Sequence, residues 1–311
     1  MNCTVEARPD TTPLVDVDIG FERFPHTVDL EVNGVCNLAC PWCWGPEHHA
    51  RVERMSTADW SALLERLRCV GSRSVVFTGG EPTLRSDLPV LLARAKALGF
   101  RVTLSTNGTL RNALLPVLRW VDDLGLPLDG STNARNALMR ISHHPGVRHF
   151  DLVLDTLRQV QADHPAIALT LRTVITAHNV NDVAAIGDTL RSAGIDTTRL
   201  RWKLYQVNPI GVRAATVIDG GWEIPDDEVR RLVATLRHRH PRFGEIAYQA
   251  AAASRSRYLL VDPAGDAYVV GVDTNGRPAR LRIGSAARQW DAFVHALRTH
   301  PSRPQDYQHG R

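Results

Sequence analysis

Three cysteines lie within one short stretch of the 311-residue chain, at Cys36, Cys40 and Cys43, in a C-x3-C-x2-C spacing. Iron–sulfur clusters are held by cysteine thiolates, often by four of them. Three thiolates can bind three irons of a cubic four-iron cluster and leave the fourth iron to a ligand from outside the protein. The spacing therefore predicts a [4Fe-4S] cluster with one vacant position, which chemistry at iron requires.

The same triplet could instead bind zinc. Zinc sites usually take a second pair of Cys or His ligands at a distance. His48 and His49 follow the triplet closely enough to supply such a pair. A non-enzymatic iron–sulfur or zinc protein therefore remains an alternative on these residues alone.

A second motif, Thr78-Gly79-Gly80-Glu81-Pro82, follows the apolar run 74–77, which is typical of a short buried strand. The two glycines let the backbone approach a ligand closely. The Glu81 carboxylate can accept hydrogen bonds from an ammonium group. The motif by itself is compatible with ligand binding at the end of the strand but does not identify the ligand.

Together the two motifs resemble the signature of the radical S-adenosylmethionine (radical SAM) superfamily, over about residues 27–210 and most strongly at the motifs themselves. The resemblance implies that the open iron binds the amino and carboxylate groups of S-adenosylmethionine. It also implies reductive cleavage of that molecule to methionine and a 5′-deoxyadenosyl radical, which abstracts a hydrogen atom from the substrate.

The resemblance also implies a set of cofactor-binding residues. Gly79, Gly80 and Glu81 would hold the methionyl amino group, and Trp42 would lie against the adenine. Further candidates are Ser105 and Asn107 for the ribose and Arg140 for the carboxylate. Simpler explanations stay open for these residues: a packing tryptophan, an Asn-Gly turn and a surface arginine.

Strand-like and helix-like segments alternate along the chain, which predicts parallel strands joined by crossover helices. Strands are expected at 27–33, 74–78, 101–105, 124–129, 167–175 and 200–207. Helices are expected near 57–70, 87–98, 109–119, 147–163, 181–193 and 226–240. Six such units suit an α/β fold with a partial (β/α)6 TIM-type barrel, the architecture that the resemblance implies. Both motifs then follow strands, at the rim where barrel enzymes carry their chemistry.

Charged side chains are expected inside this barrel because residues alternate between the two faces of a strand. On the first strand, Asp29 and Glu31 share the face opposite the apolar residues. Arg172 on the fifth strand, and Lys203 and Tyr205 on the sixth, are expected inside by the same alternation. Buried charges are costly unless they pair or meet a polar ligand. We therefore expect either mutual pairing of these side chains or a polar substrate, and the five residues are the catalytic candidates.

Three regions are expected: an N-terminal extension at 1–25, the barrel core at 26–210 and a C-terminal α+β cap at 211–311. The cap should contain a helix and a β-hairpin with strands near 258–261 and 266–270. In relatives with auxiliary clusters, a similar hairpin is followed by further cysteines. No cysteine follows Cys69 here, so no auxiliary cluster is expected, which argues against a peptide maturase.

Composition limits the remaining possibilities. The formal net charge is +4 and the pI is about 9.0, with no basic run interleaved with aromatic residues, so no nucleic-acid partner is expected. No apolar run reaches about 18 residues, so no membrane span is expected. The N-terminus lacks a signal-peptide pattern. Five cysteines, three of them clustered, do not indicate a disulfide framework, and a cytoplasmic location is favoured.

The leading interpretation is a radical SAM enzyme that abstracts hydrogen from a small polar substrate, such as a sugar, aminosugar, nucleoside or nucleotide, in natural-product biosynthesis. A flavodoxin- or ferredoxin-type protein is expected to supply the electron. Two enzymatic alternatives are a peptide-modifying maturase, which predicts an N-terminal recognition domain, and a glycyl-radical activase, which needs a large protein partner. Only 26 residues precede the first expected strand.

Overall fold

The computed structural model describes residues 24–45, 54–254 and 257–299. Within these residues, ten strands form one sheet: β1 (Thr27–Asn33), β2 (Ser74–Gly79), β3 (Arg101–Ser105), β4 (Asp123–Pro127), β5 (Ala168–Ile175), β6 (Leu200–Gln206), β7 (Glu245–Gln249), β8 (Leu259–Val261), β9 (Asp266–Val272) and β10 (Pro278–Ser285). The helices are α1 (Thr57–Cys69), α2 (Leu88–Ala97), α3 (Arg111–Leu114), α4 (Asn133–Met139), α5 (His149–Asp163), α6 (Val183–Ser192), α7 (Ala214–Asp219), α8 (Asp226–Arg239) and α9 (Trp290–Thr299).

The strands are ordered β10-β9-β8-β1-β2-β3-β4-β5-β6-β7 across the sheet. Strands β1 to β7 pair in parallel with their sequence neighbours, and helices connect most of them. This is the expected α/β architecture of a partial TIM-type barrel. All six expected strands are present, with ends that agree to within two residues.

The expected helix at 109–119 is divided in two. Helix α3 ends at Leu114, and a 3-10 turn covers Leu115–Trp120. Pro116 lies in the first turn of this 3-10 segment, and proline has no N–H for the α-helical hydrogen bond. The break therefore has a local cause that the apolar pattern does not reveal.

The C-terminal segment completes both edges of the barrel sheet. The expected hairpin is confirmed as β8 and β9, which pair antiparallel. Strand β8 also pairs in parallel with β1, through Asp29 with Leu260 and Leu30 with Val261, while β7 pairs with β6 at the opposite side. Residues beyond 210 therefore form walls of the same barrel, and the division at 210 remains a proposal.

The apolar core lies between the outer face of the sheet and the helices. Trp60, Phe77 and Trp202 are among its largest fully buried side chains. Trp202 packs against Phe243 with ring centroids 5.1 Å apart. Burial of these faces orients the polar faces of β1, β5 and β6 toward the barrel interior. In the part of the chain that the structure describes, no helix combines the length and apolar character needed to cross a membrane.

Candidate active site

A cavity of about 290 Å³ opens at the carboxyl ends of the barrel strands. It brings together most of the residues that the sequence singled out: Asp29, Glu31, Cys36, Cys40, Trp42, Cys43, Gly79, Gly80, Ser105, Asn107, Arg140, Arg172 and Tyr205. Two candidates, Glu81 and Lys203, do not line it. Tyr258 and Leu260 of the C-terminal segment also line it.

The loop after β1 presents all three cysteines to this cavity, and each sulfur accepts a hydrogen bond from a nearby nitrogen. The donors are Leu38 N to Cys36 Sγ at 3.4 Å, Arg140 Nη1 to Cys40 Sγ at 3.7 Å, and Gly45 N to Cys43 Sγ at 3.3 Å. Such donors stabilise cluster sulfurs and tune the cluster potential. The residues therefore fit a cluster held by three thiolates.

Burial changes the ionisation of two of the three thiols. Burial raises the pKa of the Cys40 thiol to about 12, and burial likewise raises the pKa of Cys36. A coordinated metal cation reverses this preference because a coordinating thiol is deprotonated. Without a metal the two thiols are therefore held protonated, and a bound cluster would ionise them.

The zinc alternative gains no support from the described part of the chain. There, no group of three His, Cys, Asp or Glu side chains is arranged to hold a metal ion. In a cubic cluster each thiolate binds a different iron, so the three sulfurs need not converge on one point. His48 and His49, which the zinc hypothesis invoked, lie outside the described residues.

The glycine pair closes the gap between the ends of β1 and β2. Gly80 N donates to Asn33 O at 2.6 Å, and Glu81 N donates to Val35 O at 2.8 Å. A Cβ on Gly80 would lie 2.5 Å from the carbonyl carbon of Val35, and Gly79 has a φ of +135°. Both positions therefore require glycine, and the loop that carries the cysteines is fixed against β2.

The Glu81 side chain lies behind this pair and is fully buried. Its carboxylate accepts hydrogen bonds from Thr83 N at 3.0 Å, Thr83 Oγ1 at 2.5 Å, Thr106 Oγ1 at 2.6 Å and Asn107 N at 2.7 Å. Burial raises the pKa of Glu81, and these hydrogen bonds oppose the rise. Direct contact with a ligand ammonium would require Glu81 to exchange some of these donors, so that contact stays a prediction.

Arg140 connects the cysteine loop to the end of β4. Its Nε donates to Asp129 Oδ2 at 2.5 Å, and its guanidinium lies 4.4 Å from the centroid of the Trp42 ring. Asp129 is fully buried and also accepts from Val174 N at 2.7 Å. The Trp42 Nε1 is buried and has no hydrogen-bond partner among the described residues. Arg140 and Trp42 therefore lie together beside Cys40.

Asn107 is held from three sides at the end of β3. Its side chain donates to Asn37 Oδ1 at 2.8 Å and reaches Cys36 Sγ at 3.9 Å. Its carbonyl lies 2.8 Å from His149 Nε2, which must donate because a carbonyl oxygen only accepts. Burial lowers the pKa of His149 to about 4, with a further contribution from Arg140. The sequence analysis missed His149, which belongs to an otherwise ordinary amphipathic helix.

Glu31 is paired with a residue that the sequence analysis did not identify. Arg280 Nη1 and Nη2 donate to the two Glu31 oxygens at 3.0 and 2.7 Å. Arg280 Nη1 also donates to Gly45 O at 3.2 Å, and the guanidinium lies 4.9 Å from the Tyr268 ring centroid. The expected partners of Glu31, Arg172 and Lys203, are not its partners. Strand β10, which the sequence did not predict, supplies the charge.

The other interior candidates occupy different depths of the barrel. Arg172 lines the cavity and donates from Nη1 to Ser105 Oγ. Tyr205 also lines the cavity. The Nζ of Lys203 lies 5.0 Å from the Tyr205 ring centroid, so Lys203 contacts the back of a lining residue.

Family membership follows from comparison with known proteins. The model of the Radical SAM superfamily matches residues 30–208, which is more than half of the chain. The chain belongs to the radical SAM superfamily. It is therefore an enzyme whose cofactors are a [4Fe-4S] cluster and S-adenosylmethionine.

Two curated relatives differ in how much of the chain they match. An Fe-coproporphyrin III synthase from Methanosarcina barkeri is 36% identical over 84% of this chain and 65% of its own length. A PqqA peptide cyclase from Xanthomonas campestris pv. campestris is 47% identical over 27% of this chain and 23% of its own length. The chain thus spans less than two thirds of either relative.

Among solved structures, Streptococcus suis SuiB bound to the precursor peptide SuiA has a TM-score of 0.59 at 18% identity, covering 78% of this chain and 59% of SuiB. At this identity the likeness concerns the fold. It agrees with the partial barrel described above.

Proposed function

We propose that this radical SAM enzyme modifies a peptide by abstracting a hydrogen atom from one of its residues. Similarity to a PqqA peptide cyclase and the fold shared with SuiB, which was crystallised with a precursor peptide, support a peptide over a small polar metabolite. The sequence analysis had placed the peptide second because no cysteine follows Cys69. That argument concerned auxiliary clusters, and a peptide substrate does not by itself require them.

The observation that carries the proposal is the mixed character of the cavity wall. On one side lie polar interior side chains such as Arg172 and Tyr205. On the other, Trp44 and Tyr258 meet edge to face with ring centroids 5.7 Å apart, next to Leu260. Aromatic and apolar side chains with a few polar groups are typical of ligand pockets. Such a wall can hold a side chain together with the adjoining peptide backbone.

Within this proposal each group of residues has one task. When bound, the cluster and S-adenosylmethionine supply a primary carbon radical that removes hydrogen, and the protein supplies orientation and exclusion of solvent. Cys36, Cys40 and Cys43 hold the cluster, while Trp42 and Arg140 contact S-adenosylmethionine. The remaining cofactor-binding candidates are Gly79, Gly80, Glu81, Ser105 and Asn107. The remaining substrate-side candidates are Asp29, Glu31, Arg172, Lys203 and Tyr205.

A second candidate substrate is a tetrapyrrole, because the match to an Fe-coproporphyrin III synthase extends over 84% of this chain. For either substrate we propose a flavodoxin- or ferredoxin-type electron donor, a cytoplasmic location and a role in natural-product biosynthesis. A peptide and a tetrapyrrole would both bind next to the cysteine loop. The residues on the substrate side of the cavity therefore determine which of the two binds.

The test is hydrogen transfer from peptide to cofactor. The enzyme is reconstituted anaerobically and incubated with S-adenosylmethionine, dithionite and synthetic peptide pools carrying deuterium on carbon. We expect 5′-deoxyadenosine that has gained deuterium, and none from a variant with Cys36, Cys40 and Cys43 replaced by alanine. Formation of unlabelled 5′-deoxyadenosine with every pool, together with conversion of a tetrapyrrole precursor to an iron coproporphyrin, would replace the peptide with the tetrapyrrole.

A further inference from the structure

Arg172 lines the cavity, and one of its guanidinium nitrogens has no hydrogen-bond partner among the described residues. It lies on β5 with its side chain in the cavity, and its register partners are Pro127 on β4 and Lys203 on β6. Nη1 donates to Ser105 Oγ, whereas Nε is buried without a hydrogen-bond partner in the described part of the chain. The guanidinium is therefore placed beside the cavity with its hydrogen-bonding capacity only partly used.

Space for this guanidinium is provided by Gly125 on β4. A Cβ built on Gly125 would lie 2.5 Å from the Arg172 Cζ and 2.6 Å from Nη2. Even alanine at this position would therefore displace the guanidinium. The glycine has no positive φ that would otherwise explain it. Its physical effect is to let Arg172 lie flat against β4.

The ion pairs that the structure describes inside the barrel do not include Arg172. Glu31 is bound by Arg280 and Asp129 is bound by Arg140, so these interior carboxylates are matched by cations. Among the residues that the structure describes, no carboxylate forms an ion pair with Arg172. An arginine cannot lose its proton in a protein, so its charge must be met by solvent or by an anion.

We propose that Arg172, held in place by its hydrogen bond to Ser105 Oγ, binds the carboxylate of an acidic side chain in the substrate peptide. The planar guanidinium matches a carboxylate through two parallel hydrogen bonds. A hydrogen bond between two charged groups is also stronger than one between the guanidinium and a neutral amide. This inference rests on the proposed peptide substrate and specifies a glutamate or aspartate near the modified residue. Arg172 is then a substrate-binding residue that determines specificity.

The experiment compares two probes that differ in one group, N-acetyl-glutamate methylamide and N-acetyl-glutamine methylamide. Binding is measured by ligand-observed NMR on the cluster-containing enzyme with S-adenosylmethionine bound and without reductant. We expect wild type to bind the glutamate probe about tenfold more tightly. Arg172→Gln should abolish this preference, and Gly125→Ala should reduce it by displacing the guanidinium. Arg237→Gln, which changes an exposed arginine outside the cavity, and Gly284→Ala, where a Cβ has room, should leave it unchanged.

Three results would overturn the inference. Wild type could bind both probes equally, or the preference could survive Arg172→Gln. In the third case, Arg172→Gln weakens binding of S-adenosylmethionine by a similar factor without peptide, which would assign Arg172 to the cofactor.

If the substrate is not a peptide, the two experiments give a different combination of results. In that case no peptide pool transfers deuterium, although the glutamate preference still depends on Arg172. A reaction with peptides but no such preference would remove only the carboxylate site. If Arg172→Gln does not fold, Gly125→Ala and Arg172→Lys decide the question, because both keep the positive charge.

Discussion

Replacing Arg280 by methionine should destabilise the protein strongly because it leaves Glu31 buried without its ion-pair partner. The side chains of Arg280 and Glu31 are only 1% and 6% exposed, so solvent cannot take over the lost contacts. Removing one partner of such a buried pair costs about 3–5 kcal/mol, whereas exposed pairs contribute about 0–1 kcal/mol. At roughly 2 °C per kcal/mol for a chain of this size, the melting temperature should fall by about 6–10 °C.

The loss should also depend on pH. Burial already raises the pKa of Glu31 even though Arg280 opposes the rise, so removing Arg280 raises that pKa further. The folded variant then favours the protonated carboxyl, while the unfolded chain ionises near the ordinary value of 4.5. Stability is therefore lost as the pH rises above 4.5 through the raised folded pKa, and Arg280→Met should be more destabilised at pH 8 than at pH 5.

The assay is urea unfolding under anaerobic conditions, on cluster-containing and on iron-free protein, at both pH values. Glu31→Met combined with Arg280→Met should restore most of the free energy of unfolding, since apolar residues replace buried pairs at little cost. Asp227→Asn, which breaks a fully exposed pair with Arg231, serves as the control and should have no measurable effect. A loss below about 1 kcal/mol, or no recovery in the double variant, would refute the reasoning.

Three further outcomes are expected. Gly80→Ala should prevent cluster assembly because the new Cβ overlaps the backbone just before Cys36. The iron-to-protein ratio measures assembly, and the control variant Gly284→Ala should retain iron. A normal iron content in Gly80→Ala would contradict the prediction. His149 has a pKa lowered to about 4 from an ordinary 6.5, so the free energy of unfolding should decline by about 3 kcal/mol as the pH falls from 6.5 to 4. His149→Gln should remove that part of the decline in urea titrations, and parallel pH curves for both proteins would argue against it. Trp42→Phe keeps an aromatic ring but loses the Nε1 N–H, which is buried and has no hydrogen-bond partner among the described residues. If that N–H contacts the cofactor, equilibrium dialysis should show S-adenosylmethionine binding weakened about fivefold. Unchanged affinity would show that it does not contact the cofactor.

Local patterns predicted a large part of the fold. The six barrel strands and their helices follow from alternating and helical spacing of apolar residues, which depends on neighbours close in the chain. Local patterns could not predict the ion pair of Arg280 with Glu31. Arg280 lies 249 positions from Glu31, on a strand whose half-exposed sequence gives a weak signal, so no local pattern could pair the two. Lys203 shows a second limit, because alternation gives the face of a strand but not the depth at which a long side chain ends.

The sequence by itself determined the family of this protein, because the spacing of Cys36, Cys40 and Cys43 and the motif at 78–82 are local patterns. It also determined the positions of the six strands β1 to β6. Only the tertiary structure decided which charges remain available inside the barrel, since ion pairing depends on distances between residues far apart in the chain. The extension of the sheet by β8 to β10 brings Arg280 to Glu31, and the absence of a side chain at Gly125 leaves room for Arg172 beside the cavity.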